Sequence, residues 1–463
     1  MNRRDFSLLT GAGLLAATMP ERAGAQTAVN PALLQTTLTP FGAERQGNAA
    51  GTIPAWTGGM TEVPAGVEWD PSKTVPPDFW ADEQPLYTVT SDNVAQYGAL
   101  LTDGVKRLIS EGMSVQVFPT HRTASAPQWV YDNTAVNATR AQPEDGGARL
   151  GFKNAYGGIP FPIPDPSDPY NAGAEIIWNN QARWSGEYQS LIAGTYVVID
   201  GAVTLAQTDR NSYFYTYYQK DGSLDTYNGH LGDVNSYVLA PSNQTGGETI
   251  THMTTDPVKM PIISWQLLAG QGRVRKTPNF QYDTPSPYAA GMCNLDEYFG
   301  FSSSQDQYDW KLLGKQEMLI PYNNNKLLNV TVAQAHGPKF INPEVLRWEL
   351  HRVWVVDATL HPGKRNVLAH RRFYVDEDTW IIGVVDSWDA NGEMFHHAIN
   401  VNFVFPNLPG TLWGNTILYN MQTNSYVSIL GSWGEAPYNT PWDFTPKPMS
   451  LYDPQSLAAS ASY

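Results

Sequence analysis

The sequence predicts a mainly β protein, and three observations carry that prediction. Aromatic side chains make up 12% of the 463 residues, with 24 Tyr, 16 Phe and 15 Trp, while charged residues supply only 16%, well below the ~25% of ordinary soluble domains. The chain is punctuated by 39 Gly and 34 Pro, as expected of pleated surfaces joined by turns. Between Arg347 and Phe405 the residues alternate with period two, the repeat of a strand.

The chain begins with two arginines, Arg3 and Arg4, ahead of a weakly apolar stretch from Leu8 to Met19, and Ala23-Gly24-Ala25 then precedes Gln26. A basic start, a short apolar stretch and small residues at a cut site describe a cleaved export signal of the twin-arginine type. Cleavage is expected between Ala25 and Gln26, giving residues 1–25 as the signal and placing the mature chain in the periplasm. Cys293 is the only cysteine, so no lipid-attachment cysteine follows the signal and no internal disulfide staples the fold. Net charge is −15, and losing the leader removes three basic and two acidic residues. That acidic balance argues against nucleic acid and anionic membrane surfaces as partners. No mature stretch approaches the ~20 apolar residues of a transmembrane segment.

Residues 26–90 read as an irregular arm. Proline and glycine recur without periodicity from Leu38 to Pro85, while Trp56, Trp69, Phe79 and Trp80 provide apolar anchors, so the segment is expected to wrap the body. A body spanning 91–463 follows, opening with one helix over 91–111. Ser91 serves as its N-cap, Val94, Tyr97, Leu101, Val105 and Leu108 form its apolar stripe, and Gly112 lies past its end.

Strands are expected next, at Gln128 to Thr134, Ala174 to Trp184, Gly194 to Thr208 and Asn211 to Gln219, all short runs of β-formers between turn residues. From Arg347 onward the two faces can be counted. Trp348, Leu350, Arg352, Trp354, Val356, Ala358 and Leu360 share one; Arg347, Glu349, His351, Val353, Val355, Asp357 and Thr359 share the other. His361-Pro362-Gly363, Asp376-Glu377-Asp378 and Asp389-Ala390-Asn391-Gly392 break this stretch into a four-stranded antiparallel meander.

Several longer motifs occur in one order: LTPFGAERQGNAAGTIPAWTGG (38–59), FPTHRTASAP (118–127), GGIPFPIP (157–164), GQGRVRKTPNFQYDTP (270–285), ELHRVWVVDATLHPGKR (349–365) and DEDTW (376–380). Together they resemble the family known as domain of unknown function 1329, across nearly the whole mature chain. The resemblance implies the architecture of the LolA/LolB lipoprotein-carrier superfamily: a large curved antiparallel sheet forming an unclosed half-barrel, with a few covering helices and long irregular loops. It also implies a non-enzymatic periplasmic carrier or binding protein for a lipid, lipoprotein or other hydrophobic ligand, working with an inner-membrane exporter and an outer-membrane protein.

On that reading Trp348, Leu350, Trp354 and Val356 line the cavity, with Arg352 as an isolated cation among them. The competing reading makes this face core and pairs Arg352 with a carboxylate. An alternative function, a periplasmic enzyme on a hydrophobic substrate, would use Glu349 and His351 as an acid/base pair; the plainer reading of those two is a salt bridge. His396 and His397 are adjacent and point to opposite faces of a strand, so they cannot share an ion. No metal-ligand spacing is present and no cofactor is expected. Gly431-Ser432-Trp433-Gly434 lacks the full nucleophile elbow, and Gly270-Gln271-Gly272 lacks the third glycine of a dinucleotide loop. Asp376-Glu377-Asp378 reads as a solubilising hairpin tip, with calcium as the lesser alternative. Cys293 reads as a small buried apolar residue.

Overall fold

A computed structural model describes residues 30–278 and 281–460; the export signal expected at residues 1–25, with its cut at Ala25 and Gln26, lies outside them. In chain order the strands are β1 (Tyr87–Val89), β2 (Val115–Val117), the ribbon strands β3 (Gln142–Pro143) and β4 (Phe152–Lys153), β5 (Tyr188–Ile199), β6 (Ala202–Phe214), β7 (His230–Ala240), β8 (Glu248–Thr254), β9 (Ile263–Leu267), β10 (Val274–Pro278), β11 (Tyr308–Pro321), β12 (Trp348–Leu360), β13 (His370–Asp376), β14 (Ile382–Trp388), β15 (Met394–Phe405), β16 (Gly410–Asn420) and β17 (Ser425–Gly431). The principal helices are α1 (Val94–Tyr97), α2 (Asp103–Ser110), α3 (Gln128–Arg140) and α4 (Pro169–Gln181).

The protein is mainly β, with one 15-stranded sheet that does not close into a barrel: fourteen strands run in the order β1-β2-β12-β13-β14-β15-β16-β17-β5-β6-β7-β8-β9-β10, and β11 joins off this path by pairing with β12. Pairing is antiparallel throughout except for one parallel bridge, Trp348 with Val117, where β2 meets the start of β12. The rest of that edge of β12 is taken by β11, while β13 holds the other edge. The expected meander is present as β12 to β15.

Both faces of the meander are buried. One carries Val105, Leu108 and Ile109 of α2 in a cluster with Val353, Val355, Val384 and Ile399. The other carries Val130 of α3 and Ile176, Ile177 and Trp178 of α4 with Val356, Ala358, Phe373 and Val385. A sheet covered on two sides explains why β14 is buried at six of its seven positions.

Four local expectations are corrected. Gln128 to Thr134 is the start of helix α3, not a strand; Val130, Thr134 and Asn137 form its buried stripe at spacings of four and three, and burial overrides the β-preference of Trp129, Val130, Tyr131 and Thr134. Ala174 to Trp184 likewise lies mostly in helix α4, which Asp168 caps and Pro169 opens, with every residue from Ala172 to Asn180 buried. A helix buried all round has the same apolar run as a buried strand. Gly194 to Thr208 is two strands, because Asp200 (φ +50°) and Gly201 (φ +80°) turn the chain back in the left-handed pair of a two-residue hairpin. Asn211 to Gln219 is strand only as far as Phe214.

The helix expected over 91–111 is also broken. Leu101 is extended and α2 starts afresh with Thr102 as its N-cap, accepting from the Val105 N–H. Asp386 enforces the break: its carboxylate accepts from the N–H groups of Asp103 (3.1 Å) and Gly104 (3.2 Å) and lies 2.7 Å from His397 Nδ1. A buried carboxylate at a helix N-terminus meets free N–H donors and the positive end of the dipole.

Candidate functional site

The residues singled out on β12 do not gather round one cavity. Trp348 is buried and Leu350 packs at the edge of the first cluster. Val356 is buried in the second, with Trp354 packed against it. Arg352 faces carboxylates, Glu377 at 3.3 Å and Glu44 at 3.6 Å, and its guanidinium also donates to the Gln46 carbonyl at 3.0 Å.

Around them lies a buried network of charge. Glu349 and His351 are 0% and 1% exposed and 3.1 Å apart. Glu349 also accepts from Arg347 at 2.5 Å, Asn323 at 2.9 Å and the His121 N–H at 2.8 Å. His351 stacks on Tyr322 at 3.9 Å and brings Nδ1 to 3.6 Å from Asp376. Burial disfavours the imidazolium, but the Glu349 hydrogen bond and the field of Asp376 outweigh it, so the His351 pKa is raised. Burial likewise opposes ionisation of Glu349, yet His351 and Arg347 hold its pKa below the ordinary value. The pair is therefore a sealed ion pair. Acid/base chemistry needs a substrate within hydrogen-bond reach, and both side chains are almost fully buried.

Asp376, Glu377 and Asp378 are not a solvated hairpin tip but are 1–2% exposed. Their counter-charges come from remote parts of the chain. Arg122 grips Asp378 with two hydrogen bonds of 2.8 and 2.7 Å, and Lys315 donates to Glu377 at 2.6 Å. Asp376 has its pKa pushed up to about 6 by burial, against the pull of His351. His351, Asp376 and Asp378 have ligand atoms close enough to hold an ion, but Arg122 already occupies both oxygens of Asp378. His230, Asp233 and His252 form a second such group, in which His252 Nε2 lies 3.1 Å from the Tyr452 carbonyl.

Space for a ligand lies elsewhere, over the far half of the sheet. Alternate residues Asp209, Asn211 and Tyr213 of β6, Val234 of β7 and Met253 of β8 form the floor of a cavity whose roof is the segment 281–304, through Tyr288, Leu295, Tyr298 and Phe299. It encloses about 800 Å³ of empty space, its open mouth included. A smaller, tighter chamber continues inward past Tyr213, Phe299 and Leu430 to Arg183. A further depression of about 990 Å³ on the opposite face is edged by Arg210, Glu248, Asp443 and Lys447, a charged lining unsuited to an apolar guest. Within the roofed cavity, burial pushes Asp209 up to about 7, and Gln207 donates to it at 2.6 Å.

The roof is pinned to the meander. Asp296 pairs with Arg371 at 3.1 Å and Glu297 with His396 at 2.7 Å, while His397 turns to the opposite face and Asp386. Cys293, in the same segment, is buried, and burial holds its thiol pKa well above the ordinary value. Sequence reading did not find this cavity; its one local signal is that β6 turns Gln207, Asp209 and Asn211, all polar, to a buried face.

The profile of Protein of unknown function (DUF1329) matches residues 88–458. The chain is 36% identical over 409 residues, 86% of each protein, to the uncharacterized protein PA3922 of Pseudomonas aeruginosa. Solved structures to which it is similar include a DUF1329 family protein from Desulfovibrio piger, at 11% identity and TM-score 0.41 over 63% of this chain and 99% of that one. A putative outer membrane lipoprotein-sorting protein domain from Vibrio parahaemolyticus gives 13% identity and TM-score 0.41, covering 64% and 100%. A LolA superfamily protein from Nitrosomonas europaea gives 8% identity and TM-score 0.33, covering 59% and 93%. With a profile match over most of its length and a relative of this identity and coverage, the chain belongs to the DUF1329 family of proteins of unknown function.

Proposed function

We propose that the protein is a non-enzymatic periplasmic carrier or binding protein for a lipid, lipoprotein or other hydrophobic ligand, handing it between an inner-membrane exporter and an outer-membrane protein. The observation that carries the reading is the roofed cavity of about 800 Å³ over β6 to β8. Its apolar contributors, among them Val234, Met253, Ile262, Leu295 and Phe299, suit a chain of methylenes, each of which gains about 0.8 kcal/mol on leaving water. The leader pattern at residues 1–25 supports export. Among the described residues no helix is long and apolar enough to cross a membrane. The enzyme alternative loses its best pair, because Glu349 and His351 are sealed and ion-paired.

The test is native mass spectrometry of protein purified gently from the periplasm, followed by titration with a fluorescent fatty-acid probe. A co-purifying apolar molecule and saturable probe uptake are expected, and Met253→Trp, which narrows the cavity, should weaken uptake. Protein that emerges ligand-free and takes up no probe would end the carrier reading.

A further inference from the structure

The inner chamber holds a cation with no carboxylate partner. Arg183 lies two residues past the end of α4 and is only 9% exposed, yet among the described residues no carboxylate comes within salt-bridge distance of it. Its guanidinium donates to the Asn180 carbonyl at 2.6 Å, in the last turn of α4, and stacks on Phe299 at 5.6 Å. Those contacts are partial compensation. Burial still disfavours the charge, drawing the guanidinium pKa down to about 10, and an uncompensated buried ion is costly.

Three buried donors in this chamber have no hydrogen-bond acceptor: Arg183 Nε, Asn211 Nδ2 and Trp442 Nε1. The oxygen of Asn211 is already used by Ser236 at 2.6 Å. A wall that offers donors and a positive charge fits a species that only accepts and is negative. Of the four residues that line both chamber and outer cavity, Asn211, Tyr213, Phe299 and Leu430, the last two, Phe299 (φ +58°) and Leu430 (φ +57°), are held in the left-handed region. For bulky side chains that conformation is strained, and such strain clusters at ligand clamps.

Resting on the carrier reading, we infer that the ligand is an acyl carboxylate: its chain lies in the outer cavity and its carboxylate passes between Phe299 and Leu430 to the donors of Arg183, Asn211 and Trp442. Arg183 thereby selects acids over neutral lipids of the same length. It also sets polarity, head inward and tail toward the mouth.

The test compares cis-parinaric acid with its methyl ester, two probes with the same chain and different head charge, at about pH 8, where a carboxyl is ionised. Wild-type protein should bind the acid more tightly by about tenfold or more, the scale of a charge-assisted hydrogen bond. Arg183→Gln should bring the acid down to the affinity of the ester and leave the ester unchanged. Should Arg183→Gln fail to fold, the wild-type ratio and the milder Trp442→Phe, expected to weaken the acid selectively, decide the matter. Equal binding of acid and ester by wild type, or a ratio that survives in Arg183→Gln, overturns the inference while leaving a carrier of neutral apolar ligands. Binding of neither probe overturns the inference and the carrier reading together.

Discussion

Replacing Arg122 with Met should unfasten the arm from the sheet. The guanidinium makes two hydrogen bonds to Asp378 at 2.8 and 2.7 Å and a third to the Glu44 carbonyl at 2.7 Å. Longer bonds reach the carbonyls of Arg45 and Pro54, both at 3.3 Å. Methionine fills the volume of the stem but leaves Asp378 buried with its charge unmet. Breaking a buried pair by removing one partner costs about 3–5 kcal/mol. Urea unfolding followed by circular dichroism should therefore show a loss of that order for Arg122→Met, with early proteolytic cutting between residues 44 and 56. Adding Asp378→Asn removes the stranded charge and should recover part of the loss, because residues in one network couple by about 0.5–3 kcal/mol. A single variant within about 1 kcal/mol of wild type, or a double variant no better than the single, would refute the reasoning.

Other outcomes follow from the same contacts. Gly104→Ala improves helix propensity by about 1 kcal/mol, yet a Cβ there would sit 2.0 Å from His397 Nδ1 and 2.5 Å from Asp386 Oδ1. It should lower stability by about 1–3 kcal/mol; a stabilised variant in a thermal melt would show that α2 is not locked there. Burial raises Glu175 from 4.5 and Asp209 from 3.8, each to about 7. Because the folded state keeps protons that the unfolded chain releases, their contribution is full below about pH 4 and is lost as the pH rises through about 7. His351, raised above 6.5, loses its contribution in the same direction, while the lowered His336 opposes it. Unfolding midpoints should thus fall between pH 5 and pH 8, and Glu175→Gln should flatten the slope; a profile that rises over this range contradicts the assignment.

The meander from Trp348 to Phe405 was readable because alternation and turn residues are local signals. Asp389-Ala390-Asn391-Gly392 forms its turn from neighbouring residues alone, with Asp389 accepting from the Asn391 and Glu393 N–H groups. Helices α3 and α4 were not readable as helices: α3 carries the β-formers Trp129, Val130, Tyr131 and Thr134, and in α4, buried from Ala172 to Asn180, the stripe of 3.6 residues disappears because the helix is covered on all sides. The acidic turn at 376–378 misled for a different reason. Its neutralising arginine, Arg122, stands 256 residues from Asp378 in sequence, a distance over which charge pairing leaves no local pattern. The cavity assembles Arg183, Tyr213, Phe299, Leu430 and Trp442 from five separate segments, none of which carries a motif.

That distribution of signal follows the division of labour in the sheet. Strands β12 to β16 are packed on both faces by α2, α3 and α4, so their sequences are apolar and their geometry is fixed. Strands β6 to β9 are covered by shorter pieces, the seven-residue helix Pro454–Ser460 against β9 among them, and their positions are a mixture of buried, half-buried and exposed. Segment 281–304 roofs the space they leave, and it is tied down through Asp296 to Arg371 and Glu297 to His396 on the rigid half. Those two ties run to the meander; over β8 and β9, Tyr288 bonds with the neutral groups of Thr249 at 3.0 Å and Gln266 at 3.1 Å. Neutral hydrogen bonds are about half as strong as charge-assisted ones. The roof is therefore fastened to the rigid half by charge-assisted bonds, at Arg371 and His396.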